Sequence, residues 1–398
     1  MIHRPTPEVA DLAARTRAFV TEHVIPVERE LAGNVHDGPE DVRLELQAKA
    51  RSAGVFAPQV TKEWGGLGLD HVGQTYVLEA AGYSLLGPLA TNCAAHDEGN
   101  IDLLTKAASE EQQQRWLAPL AAGEIRSCFA MTEPAPGAGS DPAALSTTAT
   151  PIGPGRWRID GHKWFITGAI GSSLMICMAR TSGQAGDRDG ATIFLLDTDT
   201  PGIEIVRNID TLDQSLFGGH AEIVFDGVEV DESAVLGEDG RGFAQAQIRL
   251  APARLTHCER WLGIAQRAQD IALDYVAERH LFGNRLAESG MAQQMIADPE
   301  IDLAAARALV RETAAELDRG ERAGLMSSIT KTFVAEAVNR AVDRAVQLCG
   351  AYGISDDALL SRFLREVRPF RIYDGPSETH RWSIAKAAVR ARRAANDA

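Results

Sequence analysis

Apolar residues recur at helical spacing from the first turns of the chain, at Val9, Leu12, Phe19, Val20, Val24, Val27 and Leu31. Thr6 stands where a cap belongs, Pro7 takes the first helical position and Glu8 falls in the first turn, which marks a helix start. Further helical patterns cover 41–53, 71–86 and 110–121, separated by Gly/Pro punctuation such as Trp64-Gly-Gly-Leu-Gly68. From about Arg126 the texture changes to short β-rich runs at 156–159, 163–167, 174–179, 191–196, 203–206 and 222–230. Gly, Pro, Asp and Thr break these runs at the spacing of an antiparallel barrel or sandwich. From about Gly240 long helical patterns return, at 241–279, 291–318, 326–349 and 378–394. The order predicts an α+β chain in three parts: an N-terminal helical domain (1–125), a middle antiparallel β-barrel or sandwich (126–239) and a C-terminal four-helix bundle (240–398). No internal repeat or low-complexity tract interrupts it.

Composition narrows the function classes. A length of 398 residues fits about two to three domains, and no apolar run reaches the length of a membrane span. The formal charge of −15 disfavours nucleic acid, because phosphate repulsion would have to be overcome locally. The tightest basic cluster, Arg390, Arg392 and Arg393, ends a predicted helix, where cations complement the dipole. Five scattered cysteines without a Cys-x-x-Cys pair indicate neither a disulfide framework nor a zinc site, so buried thiols are expected. The first residues lack a hydrophobic signal core and carry Glu8 and Asp11, so a cytoplasmic protein is expected.

Two segments carry most of the chemistry. Cys128-Phe-Ala-Met-Thr-Glu-Pro-Ala-Pro-Gly-Ala-Gly-Ser-Asp141 sets a hydroxyl, a carboxylate, a proline turn and a Gly-rich Ser/Asp end into one strand-to-loop passage. Gly161-His-Lys-Trp-Phe-Ile-Thr167 reads as a strand with Phe165 and Thr167 on the same face. An aromatic and a hydroxyl together suit a flat polar ring. Glycine pairs at 137/139, 153/155 and 240/242 lack the third glycine and the βαβ setting of a dinucleotide turn, and there is no Walker-type Gly-Lys-Ser/Thr.

The order and spacing of these segments resemble the acyl-CoA dehydrogenase family, whose fold holds FAD between a β domain and a helical bundle. By that resemblance Phe129, Met131 and Thr132 contact the flavin ring, Phe165 lies against it, and Thr167 approaches its reacting nitrogen. Ser140 would meet the FAD pyrophosphate or the CoA chain; the Thr132-Glu-Pro…Gly-Ser-Asp141 loop is two residues longer than the family pattern. Arg279-His-Leu-Phe282-Gly resembles the element whose arginine reaches a neighbouring subunit's FAD diphosphate, and Gln347-Leu-Cys-Gly350 the turn at the adenosine half. A family glutamine expected shortly after Phe282 is Gly290 here. Arg254 matches the arginine that borders the acyl-CoA site, and Ala253 excludes one known placement of the catalytic glutamate.

The other placement falls in Tyr373-Asp374-Gly375-Pro376, where the family usually has Tyr-Glu-Gly-Thr. The resemblance makes Asp374 the base that removes the α-proton of an acyl-CoA while FAD takes the β-hydride. Tyr373 and Gly375 then border the substrate, and Pro376 and Glu378 replace side chains that usually touch FAD. Shielding from water is expected to raise the base's pKa. Aspartate is one methylene short of glutamate, roughly 1.5 Å of reach, which points to a divergent branch. An electron-transfer flavoprotein is the implied electron acceptor, in fatty-acid metabolism, and a homodimer or homotetramer the implied assembly. Two alternatives remain on the same fold: a flavin oxidase or monooxygenase of a non-CoA small molecule, and an acyl-CoA-binding protein without catalysis.

Overall fold

The computed structural model describes residues 4–34 and 40–397. The first helix, Pro7–Phe19, begins as expected: the Thr6 hydroxyl accepts the Val9 N–H at 3.3 Å. It continues through a wide π-helical stretch, Val20–Val24, into Ile25–Glu30. The 110–121 pattern is likewise interrupted, with a π stretch at Gln113–Leu117 between Glu110–Gln112 and Ala118–Ala121. Each π stretch ends two residues before a proline, Pro26 or Pro119. A proline ring clashes with the carbonyl four residues back, and the wider turn relieves that clash. A helix at Asp97–Ala107 joins this part without having been marked by apolar periodicity.

The middle of the chain forms one seven-stranded sheet: β1 (Ser127–Ala130), β2 (Thr148–Gly153), β3 (Arg156–Thr167), β4 (Leu174–Arg180), β5 (Ala191–Asp197), β6 (Ile203–Asn208) and β7 (His220–Asp231). Most neighbours are antiparallel, but β1 and β2 both run parallel to β4. The runs at 156–159 and 163–167 are one strand, β3, with register shifts at Ile159/Gly161 and Lys163/Ile166. β4 and β5 are buried on both faces, which explains their unbroken apolar sequences. Ile176, Met178, Ile193 and Leu195 pack against the N-terminal helices, while Met175, Cys177, Phe194 and Leu196 turn to the other side of the sheet. All five cysteines are buried and free.

Four long helices build the C-terminal bundle: Gly242–Glu278, Gly290–Asp318, Gly324–Cys349 and Ser377–Asp397. Alanine-rich faces let them approach closely around Ala265, Ala268, Ala306, Ala335, Val338 and Val342. The Gly242–Glu278 helix also crosses the end of His71–Ala81, where a Cβ on Gly263 would lie 2.4 Å from the Glu79 carbonyl oxygen. Only glycine permits that crossing, and it fixes the bundle against the N-terminal helices. Arg390, Arg392 and Arg393 lie exposed in the final turns of the last helix. Among the described residues no helix is long and apolar enough to cross a membrane.

Candidate active site

The first half of the site is a ledge on the sheet. At the second register shift of β3, Phe165 adopts φ +51°, an outlier conformation for a bulky side chain. The kink turns its ring outward, 45% exposed, against Trp164 at 4.9 Å between centroids. Phe165 is therefore no core residue. The loop after β1 is sewn to this kink: the Thr132 hydroxyl donates to the Trp164 carbonyl at 2.7 Å, and the Trp164 N–H donates to the Thr132 carbonyl at 3.1 Å. Lys163 Nζ donates to the Met131 carbonyl at 3.0 Å and to Glu133 Oε1 at 2.8 Å.

Glu133 is the hub beneath the ledge. It accepts from the Ala138, Ser146 and Thr147 amides, the Ser146 hydroxyl and Lys163. Against the burial that would raise it, Lys163 and these donors bring its pKa down to about 2. Beyond the hub the loop opens: Ser140 is exposed, and a Cβ on Gly139 would meet nothing within 4 Å. Thr167 faces His220 directly across the β3–β7 ladder, with Oγ1 3.0 Å from His220 Nδ1.

The second half is the 371–377 turn, gripped from three helices. Arg254 Nε and His380 Nε2 both reach the Asp374 carbonyl at 3.0 Å. Lys331 Nζ donates to the Gly375 carbonyl at 2.7 Å, and Trp261 Nε1 donates to the Tyr373 hydroxyl. Burial brings the Lys331 amine down to about 8. Asp374 itself has φ +52°. Its Oδ2 lies 3.0 Å from His257 Nε2 but off the line of a hydrogen bond, buried and with no aligned donor. Arg260 Nη2 donates to His257 Nδ1 at 3.1 Å, so the ring's remaining proton is on Nε2, toward Asp374.

This environment overturns the expected upward shift of the base. Burial does push Asp374 up, but His257, Arg249 and Arg254 outweigh it and hold the carboxyl well below the usual range. Arg249 joins the two halves, its guanidinium 4.4 Å above the Phe129 ring while its charge acts on Asp374. A cavity behind the turn is lined by apolar side chains such as Leu85, Leu89, Phe217, Trp261 and Ile264 together with Tyr373, and by charged or polar groups including His96, Arg126 and His257.

The remaining sequence candidates fall elsewhere. Pro376 and Glu378 open the last helix, with Glu378 exposed, and Gly290 begins the second bundle helix. Arg279, Phe282, Gln347 and Gly350 gather at the far end of the bundle, where Tyr275 and Tyr352 stack at 5.7 Å. Along the helix from Arg254 to Arg279 that is roughly 37 Å at 1.5 Å per residue. They do not join the ledge of their own chain. Phe282 is fully exposed there, with Ile354 at 71% and Met291 at 77%.

Arg249, His257, Arg260, Trp261, Lys331 and Glu133's role as hub were not foreseen. The only signal in the sequence was arginine and histidine on the apolar face of the Gly242–Glu278 helix, where an unpaired charge would be costly. The exposed aromatic, the Thr132 and Thr167 hydroxyls and the open Gly139 loop fit a flat heteroaromatic cofactor with a phosphate tail.

The chain matches the acyl-CoA dehydrogenase N-terminal domain over residues 6–124, the middle domain over 128–228 and the C-terminal domain over 240–389. It is 37% identical to the probable acyl-CoA dehydrogenase FadE2 of Mycobacterium tuberculosis over 390 residues, 95% of each chain. It is 34% identical to mouse acyl-CoA dehydrogenase family member 10, covering 97% of this chain but 37% of that longer protein. The solved butyryl-CoA dehydrogenase of Megasphaera elsdenii superposes with a TM-score of 0.87 at 26% identity, over 98% of this chain and 100% of that one. With matches running almost end to end, the chain belongs to the acyl-CoA dehydrogenase family of oxidoreductases.

Proposed function

We propose that the protein dehydrogenates an acyl-CoA thioester between its α and β carbons, with Asp374 as the base. The observation that carries this reading is the Asp374 carboxylate, whose main chain is fixed by Arg254 and His380 and whose buried Oδ2 faces His257 Nε2 at 3.0 Å, next in sequence to Tyr373, which lines the cavity. FAD, when bound, supplies the hydride acceptor. Phe129, Met131, Thr132, Phe165 and Thr167 would hold its ring, with Ser140, Pro376 and Glu378 at its margins.

The chain's own part is positional and electrostatic. Arg254, His380 and Lys331 fix the turn through backbone carbonyls, so the short aspartate is held by its main chain rather than by its side chain. His257 keeps the carboxylate ionised and proton-accepting across the physiological range. The cavity takes the acyl chain, and its walls exclude water from the reacting carbons. Tyr373 and Gly375 would border the thioester.

The exposed far end, with Arg279, Phe282, Gln347 and Gly350, suits completion of a neighbour's FAD site in a homodimer or homotetramer. The three-part division at 125 and 239, an electron-transfer flavoprotein as oxidant and a cytoplasmic setting complete the proposal. Anaerobic titration with a panel of acyl-CoA thioesters tests it. Bleaching of the flavin absorbance is expected with at least one, and bound flavin unreactive toward all of them would sink the reading.

A further inference from the structure

A hydroxyl, an imidazole and a carboxylate line up behind the ledge. Thr167 Oγ1 is 3.0 Å from His220 Nδ1, and His220 Nε2 is 3.0 Å from Asp213 Oδ2. The His220 side chain is 10% exposed and that of Asp213 is 6% exposed. The strands place the first pair, since Thr167 and His220 are register partners, and the His220 N–H is further fixed on Asn208 Oδ1 at 2.9 Å. The 209–219 loop places the third member; its Gln214 and Ser215 amides donate to the buried Glu366 at 2.7 and 3.1 Å.

Hydrogen-bond logic then fixes the direction of the chain. Asp213 is held below the ordinary carboxylate range: burial raises it, but His220, its own backbone N–H and Thr211 lower it further. An ionised carboxylate only accepts, so Nε2 carries a proton, and a ring protonated there alone offers Nδ1 as an acceptor. To such a ring the Thr167 hydroxyl donates. Its own lone pairs are left for whatever lies on the ledge.

We propose that the Thr167–His220–Asp213 chain presents the Thr167 oxygen as a hydrogen-bond acceptor to the flavin ring, tuning the bound cofactor toward its reduced form. The proposal rests on the assignment of Thr167 to the flavin's reacting nitrogen. That nitrogen is an acceptor in the oxidised ring and carries a proton in the reduced one. An acceptor oxygen opposite it repels the first and binds the second. His220 and Asp213 are positioning residues, acting through Thr167.

Asp213→Asn tests the polarity with little change of shape. The residue's own backbone N–H would keep the amide oxygen, turning the NH2 toward His220 Nε2. The ring must then protonate at Nδ1 and donate to Thr167, whose hydroxyl is free to donate to the ledge. The first measurement is the 15N shifts of the His220 ring in protein without FAD. They should report Nε2–H in the wild type and Nδ1–H in the variant.

The second measurement is the midpoint potential of bound FAD, by reductive titration with dithionite. It should fall in Asp213→Asn by the equivalent of about tenfold in relative affinity for reduced FAD, about 30 mV for two electrons. His220→Phe should lower it in the same direction. In a Thr167→Val background, Asp213→Asn should shift nothing.

A wild-type ring protonated on Nδ1, an unchanged potential in Asp213→Asn, or an equal fall without the Thr167 hydroxyl would each overturn the proposal. Wild-type protein that binds no FAD would overturn it together with the cofactor assignment. Because dithionite replaces the substrate, bound flavin that ignores acyl-CoA would overturn only the dehydrogenation reading.

Discussion

Glu133 on the sheet and Asp374 on the bundle are both buried carboxylates beside a basic partner, held in opposite ways. Glu133 and Lys163 are 0% exposed, and five donors converge on the Glu133 oxygens. Asp374 is 17% and His257 12% exposed, and Asp374 Oδ2 has no aligned donor. The first carboxylate has every lone pair committed and can only be structural. The second is fixed through its backbone while its oxygen stays uncommitted. The scaffold carboxylate and the proposed base thus share ingredients and differ in the number of donors they face.

The largest effect should come from removing the uncommitted oxygen. Asp374→Asn should slow flavin bleaching by acyl-CoA about 10²–10⁴-fold, the usual worth of a general base, with FAD still bound. Unchanged bleaching would remove Asp374 from the role. Lys163→Met should cost roughly 3–5 kcal/mol of stability by stranding the Glu133 charge, measured by urea unfolding; a loss under 1 kcal/mol would make the pair dispensable.

Acid should act on the same hub. The folded Glu133 pKa of about 2 lies below the ordinary 4.5, so its contribution is whole above pH 4.5. It is lost as pH falls from 4.5 through 2, about 3 kcal/mol in all. Glu133→Gln should flatten that part of the stability–pH curve, and an unaltered slope would contradict the assignment. The smallest effect concerns His257. It lowers the Asp374 pKa, so His257→Gln should raise it and move the acid limb of the rate profile to higher pH. A limb that stays put would leave Arg249 and Arg254 as the charges that matter.

Sequence legibility followed the range of the interactions. The Thr6 cap is local, and the Thr-Pro-Glu start recorded it. The kink at Phe165 was hidden, because a positive φ on an aromatic has no glycine to announce it. The Asp97–Ala107 helix escaped because it buries Asp97, Glu98 and Asn100, polar residues that bond to Ser127, Thr256 and Arg249. β2 carries Pro151 and is mostly exposed, so it lacks an apolar stripe. Asp374 stood out only through resemblance, and its downward shift was not legible. His257 and Arg249 come from more than a hundred positions away, and no local pattern records that approach.

The Glu366 clamp on the 209–219 loop also has a consequence for biogenesis. Gln214 and Ser215 are translated 152 and 151 residues before the carboxylate that anchors them. At about 5–20 residues per second, roughly 8–30 s separate the two events on the ribosome. The loop bearing Asp213 thus waits for the last stretch of the nascent chain. The loop gains its anchor after the sheet that forms the ledge has been made.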